Sequence, residues 1–403
     1  MPGYPRSEVV EVDTVSVYHC YARSVRQFLL LGRYTDEAGN VGDRRDWIQE
    51  LQIKLASLFA IEIGFLAILR NHLHVVLRIR PDIAGTWSDE DVVRRWLTIA
   101  RIKRMGLCDV PAPSKKRIQQ ELARPGRVAE LRNRLAHPSW WMGTLCESIS
   151  RRINREEERK GTCWEGRYGC RRLADEVGAL LCGIYVDLNL IRAGLARTPE
   201  ESRYTSAYDR IQARQLLLEL EAHLLQSQQK QEQQEEQRQE EQRQEQQQEQ
   251  QQPAPTAPTD PPQDQEADSV EVPSGVLPDA YLAPIYLDES QPVDCEAFRR
   301  SVTSCRASDK GFLPITLDEY LALLDATGRV IIEGKKGAIP DHLEPILQRL
   351  GIRASVWVAA VENYASWFGS VVGHVEQIKR AAARAGRRWL RGKSHCAALT
   401  ANS

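Results

Sequence analysis

The sequence predicts an α+β protein: an antiparallel sheet with helices packed on it, then a low-complexity linker, then an all-α C-terminal domain. Three observations carry this. Segments of strand character lie close together in the first part of the chain. Stretches of helical periodicity separate and follow them. From Gln226 to Gln252 the 403-residue chain is almost only Gln, Glu, Arg and Lys, and Pro253–Pro262 is rich in proline.

Each element can be justified in order. VSVYHCYAR (Val15–Arg23) alternates and reads as a first strand. Trp47, Leu51, Leu55 and Leu58 recur at helical spacing and give a helix from about Arg44 to Phe59. IEIGFLAIL (Ile61–Leu69) is a second strand and HLHVVLRIR (His72–Arg80) a third, joined by Arg70-Asn71. Ser88 opens SDEDVVRRW with acids in its first turn, a helix start. The segment between Met105 and Arg134 has no assignment. PSWWMGTLCESISRRINREE (Pro138–Glu157) reads as an amphipathic helix. From Ala174 to about Ala193, Val177, Leu180, Leu181, Ile184, Leu188 and Ile191 form the core stripe of another, and Gly194 is placed to end it.

The Gln/Glu run has no apolar a/d seam, which argues against a coiled coil. It extends the helix at Leu216–Gln226 as a solvated rod or is disordered, and the proline stretch is an extended linker. Beyond it the chain reads as wholly helical, with pieces at about Leu317–Ile331, Pro340–Leu350, Ser355–Val372 and Val375–Leu390. The expected division is a domain at 1–225, a linker at 226–300 and a helical domain at 301–403 with a basic final helix.

The formal net charge of −1 points to no partner by itself, but its distribution does more. Acids crowd into the middle of the chain, and none lies between Lys379 and Lys393. Nine cysteines show no CxxC spacing, and Cys163 and Cys170 match no zinc pattern, so reduced thiols of a cytosolic protein are expected. No apolar h-region opens the chain and no run of about eighteen apolar residues occurs, so the expectation is a soluble cytoplasmic protein with no membrane partner.

LRNHLHVVL (Leu69–Leu77) places two histidines in an apolar strand. Alternation turns His72 and His74 to one face, roughly 7 Å apart along the strand, with Leu73, Val75 and Leu77 on the other. Arg78 and Arg80 continue the histidine face. Two imidazoles so placed can converge on one ion given a further ligand, or they are an exposed pair on a solvated sheet. In CGIYVDLNLIRAG (Cys182–Gly194), Tyr185 and Asn189 share a helix face at the edge of the core stripe. CWEGRYG (Cys163–Gly169) precedes that helix.

Together these segments resemble the HUH single-tyrosine transposases, specifically the REP-associated tyrosine transposases. The resemblance runs in order through YHCYARSVR (Tyr18–Arg26), NHLH (Asn71–His74), ISRRINRE (Ile149–Glu156), WEGRY (Trp164–Tyr168) and YVDLN..RAGL (Tyr185–Leu195). It implies a ferredoxin-like, RNA-recognition-like sandwich. It implies that His72 and His74 hold Mg²⁺ or Mn²⁺, that Asn189 is the third ligand, and that Tyr185 is the nucleophile. The family usually has Asn-Pro where this chain has Asn189-Leu190, and loss of that proline predicts a smoother helix.

The implied chemistry is cleavage and rejoining of DNA. A divalent ion polarises the scissile phosphate, and a tyrosine attacks in line to give a 5′-phosphotyrosine and a free 3′-OH. The implied partner is single-stranded DNA bearing a hairpin, in a nucleoid-associated bacterial protein acting as a monomer or homodimer. Arg78, Arg80, Arg151, Arg152, Arg155, Arg167, Arg171 and Arg172 are candidate phosphate contacts, and Trp140, Trp141 and Trp164 are candidates for base stacking or for core packing. The competing readings are a relaxase or replication-initiator nuclease, which commonly carries a third motif histidine or a paired tyrosine, and a domesticated hairpin-binding protein. The C-terminal part is an auxiliary DNA-binding or assembly module, or a solubilising extension.

Overall fold

The structure is a computed structural model describing residues 9–35, 41–249, 277–287, 305–332 and 341–400. The proline-rich stretch lies outside the described residues. In chain order the first part comprises β1 (Ser16–Arg23), β2 (Arg33–Thr35), β3 (Val41–Asp43), α1 (Arg44–Leu58), β4 (Ile61–Ile68), β5 (His72–Ile79), α2 (Pro81–Thr86), α3 (Asp89–Met105), α4 (Lys115–Leu122), α5 (Arg127–Leu135) and α6 (Pro138–Glu156). There follow β6 (Gly169–Leu173), α7 (Glu176–Asp187), α8 (Asn189–Arg192) and α9 (Ser206–Glu249). The last part holds α10 (Leu317–Ile332), α11 (Glu344–Arg349), α12 (Ala354–Glu362), α13 (Tyr364–Trp367), β7 (Val371–Val372), α14 (Val375–Arg384) and α15 (Lys393–Leu399).

The starts of the main helices are written in side chains. Asp43 caps α1 by accepting from Arg45 N, Ser88 caps α3 by accepting from Asp91 N, and Asp175 caps α7 by accepting from Gly178 N. α3 ends on Gly106, whose φ of +65° suits a residue without Cβ.

The fold is α+β, around a sheet in the order β4-β5-β1-β6-β7. All neighbours are antiparallel except β6 and β7, which run parallel. Alternation sorts the side chains of β1 and β5. Tyr18, Cys20, Ala22, Leu73, Val75 and Leu77 enter one core with Trp47, Leu51 and Leu55 of α1, Ile99 of α3 and Leu145 of α6. The opposite face, with His19, Tyr21, His72 and His74, is covered by α7 and by residues from the last part of the chain. A second core there joins Phe65, Val76, Leu180 and Ile184 to Tyr320, Trp357, Tyr364 and Phe368.

This corrects the expected domain division. Residues 1–210 and 279–403 form one compact unit, and 211–278 the other. The last part is not a separate all-α domain, since β7 pairs with β6 and its apolar side chains complete a core begun by the sheet. Its approach is close: a Cβ on Gly178 of α7 would lie 2.5 Å from the carbonyl oxygen of Val372. Buried Asp187 links the same parts, accepting from Ser206 Oγ at 2.5 Å, Ala207 N at 3.1 Å and Tyr320 Oη at 2.6 Å. In the other unit the Gln/Glu tract is helical as far as Glu249, the rod rather than the disordered alternative.

Three element boundaries also differ from expectation. The basic final helix stops at Arg384, and Gly386 turns the chain at a φ of +62°. The predicted helix at Ser355–Val372 divides into α12, α13 and β7. The helix carrying Tyr185 is interrupted at Leu188 despite the absent proline, where the Asn189 side-chain amide donates to the Tyr185 carbonyl at 2.8 Å and competes with the backbone ladder.

Candidate active site

β5 supplies two of the site's imidazoles and β1 a third. His72 and His74 project to one face with ring centroids 5.1 Å apart. The register pairs Tyr21 with His74 and His19 with Val76, which puts His19 diagonally beside His74. His19 Nε2 lies 2.9 Å from His74 Nδ1, and His72 Nδ1 lies 2.7 Å from Asn71 Oδ1. Sequence reasoning missed His19, although the alternation of VSVYHCYAR puts it on a face with Tyr21.

α7 crosses this face and brings Tyr185 to it. The Tyr185 ring meets His74 at 5.6 Å and His19 at 6.1 Å, both edge-on. Tyr364 of α13 stacks on Tyr185 at 4.5 Å, and its hydroxyl is 3.4 Å from His19 Nδ1. Arg192 lies over the Tyr185 ring at 5.1 Å and donates to Glu362 O, while Arg171 donates to the carbonyls of Tyr364 and Ala365. Asn189 is buried, with its amide nitrogen on the Tyr185 carbonyl.

The face is therefore not the solvated sheet of the second sequence reading, the exposed histidine pair. Tyr185 is 7% exposed, His74 4% and His19 2%. Burial holds His72 down to about 4, and holds His74 and His19 well below the ordinary imidazole range, so all three rings are neutral at pH 7. Burial also raises the Tyr185 hydroxyl, against the opposing pull of Arg192, Arg171 and Asn189. Among the described residues no group of three or more His, Cys, Asp or Glu side chains is placed to hold a metal ion. The donor set that remains is the His72–His74 pair, whose neutral imidazoles are the form that ligates metal.

The predicted DNA-contacting side chains divide. Arg78 and Arg80 are buried and paired with Glu62, at 2.5 and 3.0 Å, so they are structural and cannot meet a phosphate. Arg151 and Arg152 lie on α6 and pair with Glu147 and Glu156. Arg155 donates to Met105 O, and Arg172 pairs with Glu11. Arg167 is exposed. Of these arginines, Arg171 is the one in direct contact with the aromatic residues around Tyr185. Trp141 and Trp164 are core residues, and Trp140 packs edge-on against Trp96 under Arg134. Two other tyrosines of the chain have separate roles: Tyr168 bonds Ser139, and Tyr204 donates to Asp46.

No protein-family model matches the chain, and no curated protein matches it. Among solved structures it is similar to a REP-associated tyrosine transposase bound to a REP hairpin, at 11% identity, over 51% of this chain and 82% of that one, with a TM-score of 0.27. Among the described residues no helix is long and apolar enough to cross a membrane.

Proposed function

We propose that the chain is a metal-dependent single-stranded DNA transposase or endonuclease that cuts and rejoins DNA near hairpins through Tyr185. The observation that carries this is the contact of Tyr185 with His74 at 5.6 Å, which unites motifs far apart in sequence on one sheet face. The strand order supports a ferredoxin-like reading of the core, since β4, β5, β1 and β6 with the helices between them follow that βαββαβ pattern.

His72 and His74 are the residues that would hold Mg²⁺ or Mn²⁺, and both fit as neutral imidazoles. Asn189 is the proposed third ligand through its amide oxygen; the atom that donates to the Tyr185 carbonyl is its amide nitrogen. A bound divalent ion would polarise the scissile phosphate. The Tyr185 oxygen attacks phosphorus, a new P–O bond forms and the bond to the 3′ oxygen breaks. The tyrosine proton is lost and the departing oxygen gains one, so the step balances. Rejoining is the reverse attack by a 3′-OH, which needs no external energy source. Arg171, Arg167, Arg151 and Arg152 are the proposed DNA contacts; Arg167 is exposed, and the other three must exchange their present protein partners for phosphate.

The reading requires the α13 segment to withdraw, because Tyr364 covers Tyr185. That cover favours one second reading, a hairpin-binding protein that no longer cuts. Incubation of the full chain with hairpin-bearing single-stranded DNA and Mn²⁺ separates them: strand scission supports the enzyme, and binding without scission supports the second reading. Calorimetric Mn²⁺ binding that survives His72→Ala combined with His74→Ala would remove the metal site.

A further inference from the structure

The nitrogens of the histidine row are engaged unequally. Asn71 Oδ1 carries no proton, so His72 Nδ1 at 2.7 Å must be the donor, and the neutral ring then has a bare Nε2. His74 Nδ1 and His19 Nε2 are 2.9 Å apart, and one of them holds the proton. The far side of His19 decides which. Its Nδ1 faces the Tyr364 hydroxyl at 3.4 Å. With the Tyr364 proton turned away from the ring, its oxygen accepts from His19 Nδ1–H. His19 Nε2 is then an acceptor, and His74 Nδ1 must donate to it. The opposite order would put the His74 proton on Nε2 and close that ring as a ligand.

We propose that His19 and Asn71 are positioning residues that fix the tautomers of His74 and His72, so that both rings offer Nε2 to a divalent ion. The inference rests on the two-histidine metal reading above. His19 is not itself a ligand, because its Nε2 is occupied by His74 and its Nδ1 by Tyr364. Partners of this kind, outside the ligand set, orient the ring and raise its basicity, and their loss typically weakens metal binding about 10–100-fold.

The test uses the full chain with ¹⁵N-labelled histidine and no metal. Long-range ¹H–¹⁵N correlations should show His72 and His74 protonated on Nδ1 and bare on Nε2. Mn²⁺ titrations by calorimetry then compare variants. His19→Phe, which has no acceptor, and Asn71→Leu should each bind about 10–100-fold more weakly. His19→Gln, whose amide oxygen can accept from His74, should restore most of the affinity and guards against misfolding of the Phe variant; Asn71→Asp should do the same for its site. If the wild type binds Mn²⁺ while His74 carries its proton on Nε2, or if folded His19→Phe binds as tightly as wild type, the proposal is overturned alone. If wild type binds no Mn²⁺, the metal reading fails and takes the proposal with it.

Discussion

Glu62→Ala should destabilise the protein far more than any surface substitution. Glu62 is fully buried on β4 and accepts from Arg78 Nε at 2.5 Å, from Arg80 Nη1 at 3.0 Å and from the Ser308 hydroxyl. Arg80 keeps a second carboxylate, Asp82, at 2.7 Å, but Arg78 pairs with no other among the described residues: its remaining bonds are to the carbonyls of Gly311 and Lys310. Removing Glu62 thus strands a buried guanidinium, which costs about 3–5 kcal/mol. Against a typical total of about 5–15 kcal/mol, that is a large part of the stability. The same carbonyls belong to the segment that packs Phe312 under Arg78, so its docking should loosen as well. Equilibrium urea unfolding of wild type, Glu62→Ala and Glu62→Gln gives the comparison, with Gln intermediate because it keeps an acceptor. A Glu62→Ala protein within about 1 kcal/mol of wild type would refute the reasoning and return Arg78 and Arg80 to the pool of free phosphate contacts.

Asp209, which accepts from Tyr281 at 2.6 Å and Gln49 at 2.7 Å, is pushed up to about 7 by burial, with those bonds opposing. The folded state therefore holds its proton more tightly than the unfolded chain, and its contribution is most favourable below about pH 4 and declines until about pH 7. Asp209→Asn should gain on wild type by up to about 4 kcal/mol across that window in urea unfolding, whereas a constant difference would contradict the assignment. Tyr364→Ala should uncover Tyr185 and raise its nitration by tetranitromethane, read by peptide mass spectrometry; unchanged nitration in a folded variant would show that Tyr364 is not the cover. Cutting the chain after Asp260 should unfold it, because the second core needs Tyr320, Trp357 and Phe368, so the basic stretch is better tested by Arg387→Gln with Arg388→Gln. For each of the two charges that sits on a phosphate, its removal should flatten the slope of log affinity against log salt by about 0.7–0.9, and an unchanged slope would exclude both side chains.

The strands and the helix of Tyr185 were legible because their periodicity is a local property. Val15–Arg23, Ile61–Leu69 and His72–Arg80 each fall within a residue or so of β1, β4 and β5. The face shared by His72 and His74 followed from alternation alone. What covers that face did not, because Tyr364 reaches Tyr185 only through tertiary packing after a long low-complexity interval. Arg78 and Arg80 pass for phosphate contacts in sequence for the same reason: their sign is visible there, but their register with Glu62 is not. β6 was missed because GCRRL is short and polar at two positions, and β7 because two residues carry no period. His19 stands in the first strand's motif, yet its contact with His74 depends on the β1–β5 register, which no single segment encodes.

The central claim is that Tyr185 attacks phosphorus from the face that carries His72 and His74. Wild-type protein incubated with Mn²⁺ and 3′-labelled, hairpin-bearing single-stranded DNA should carry the label through denaturing electrophoresis, because a 5′-phosphotyrosine link retains the downstream strand. Tandem mass spectrometry should place the nucleotide on Tyr185, and Tyr185→Phe, which loses one oxygen, should fold and form no adduct. An adduct that persists in Tyr185→Phe, or one mapped to Tyr21 or Tyr364, would contradict the account.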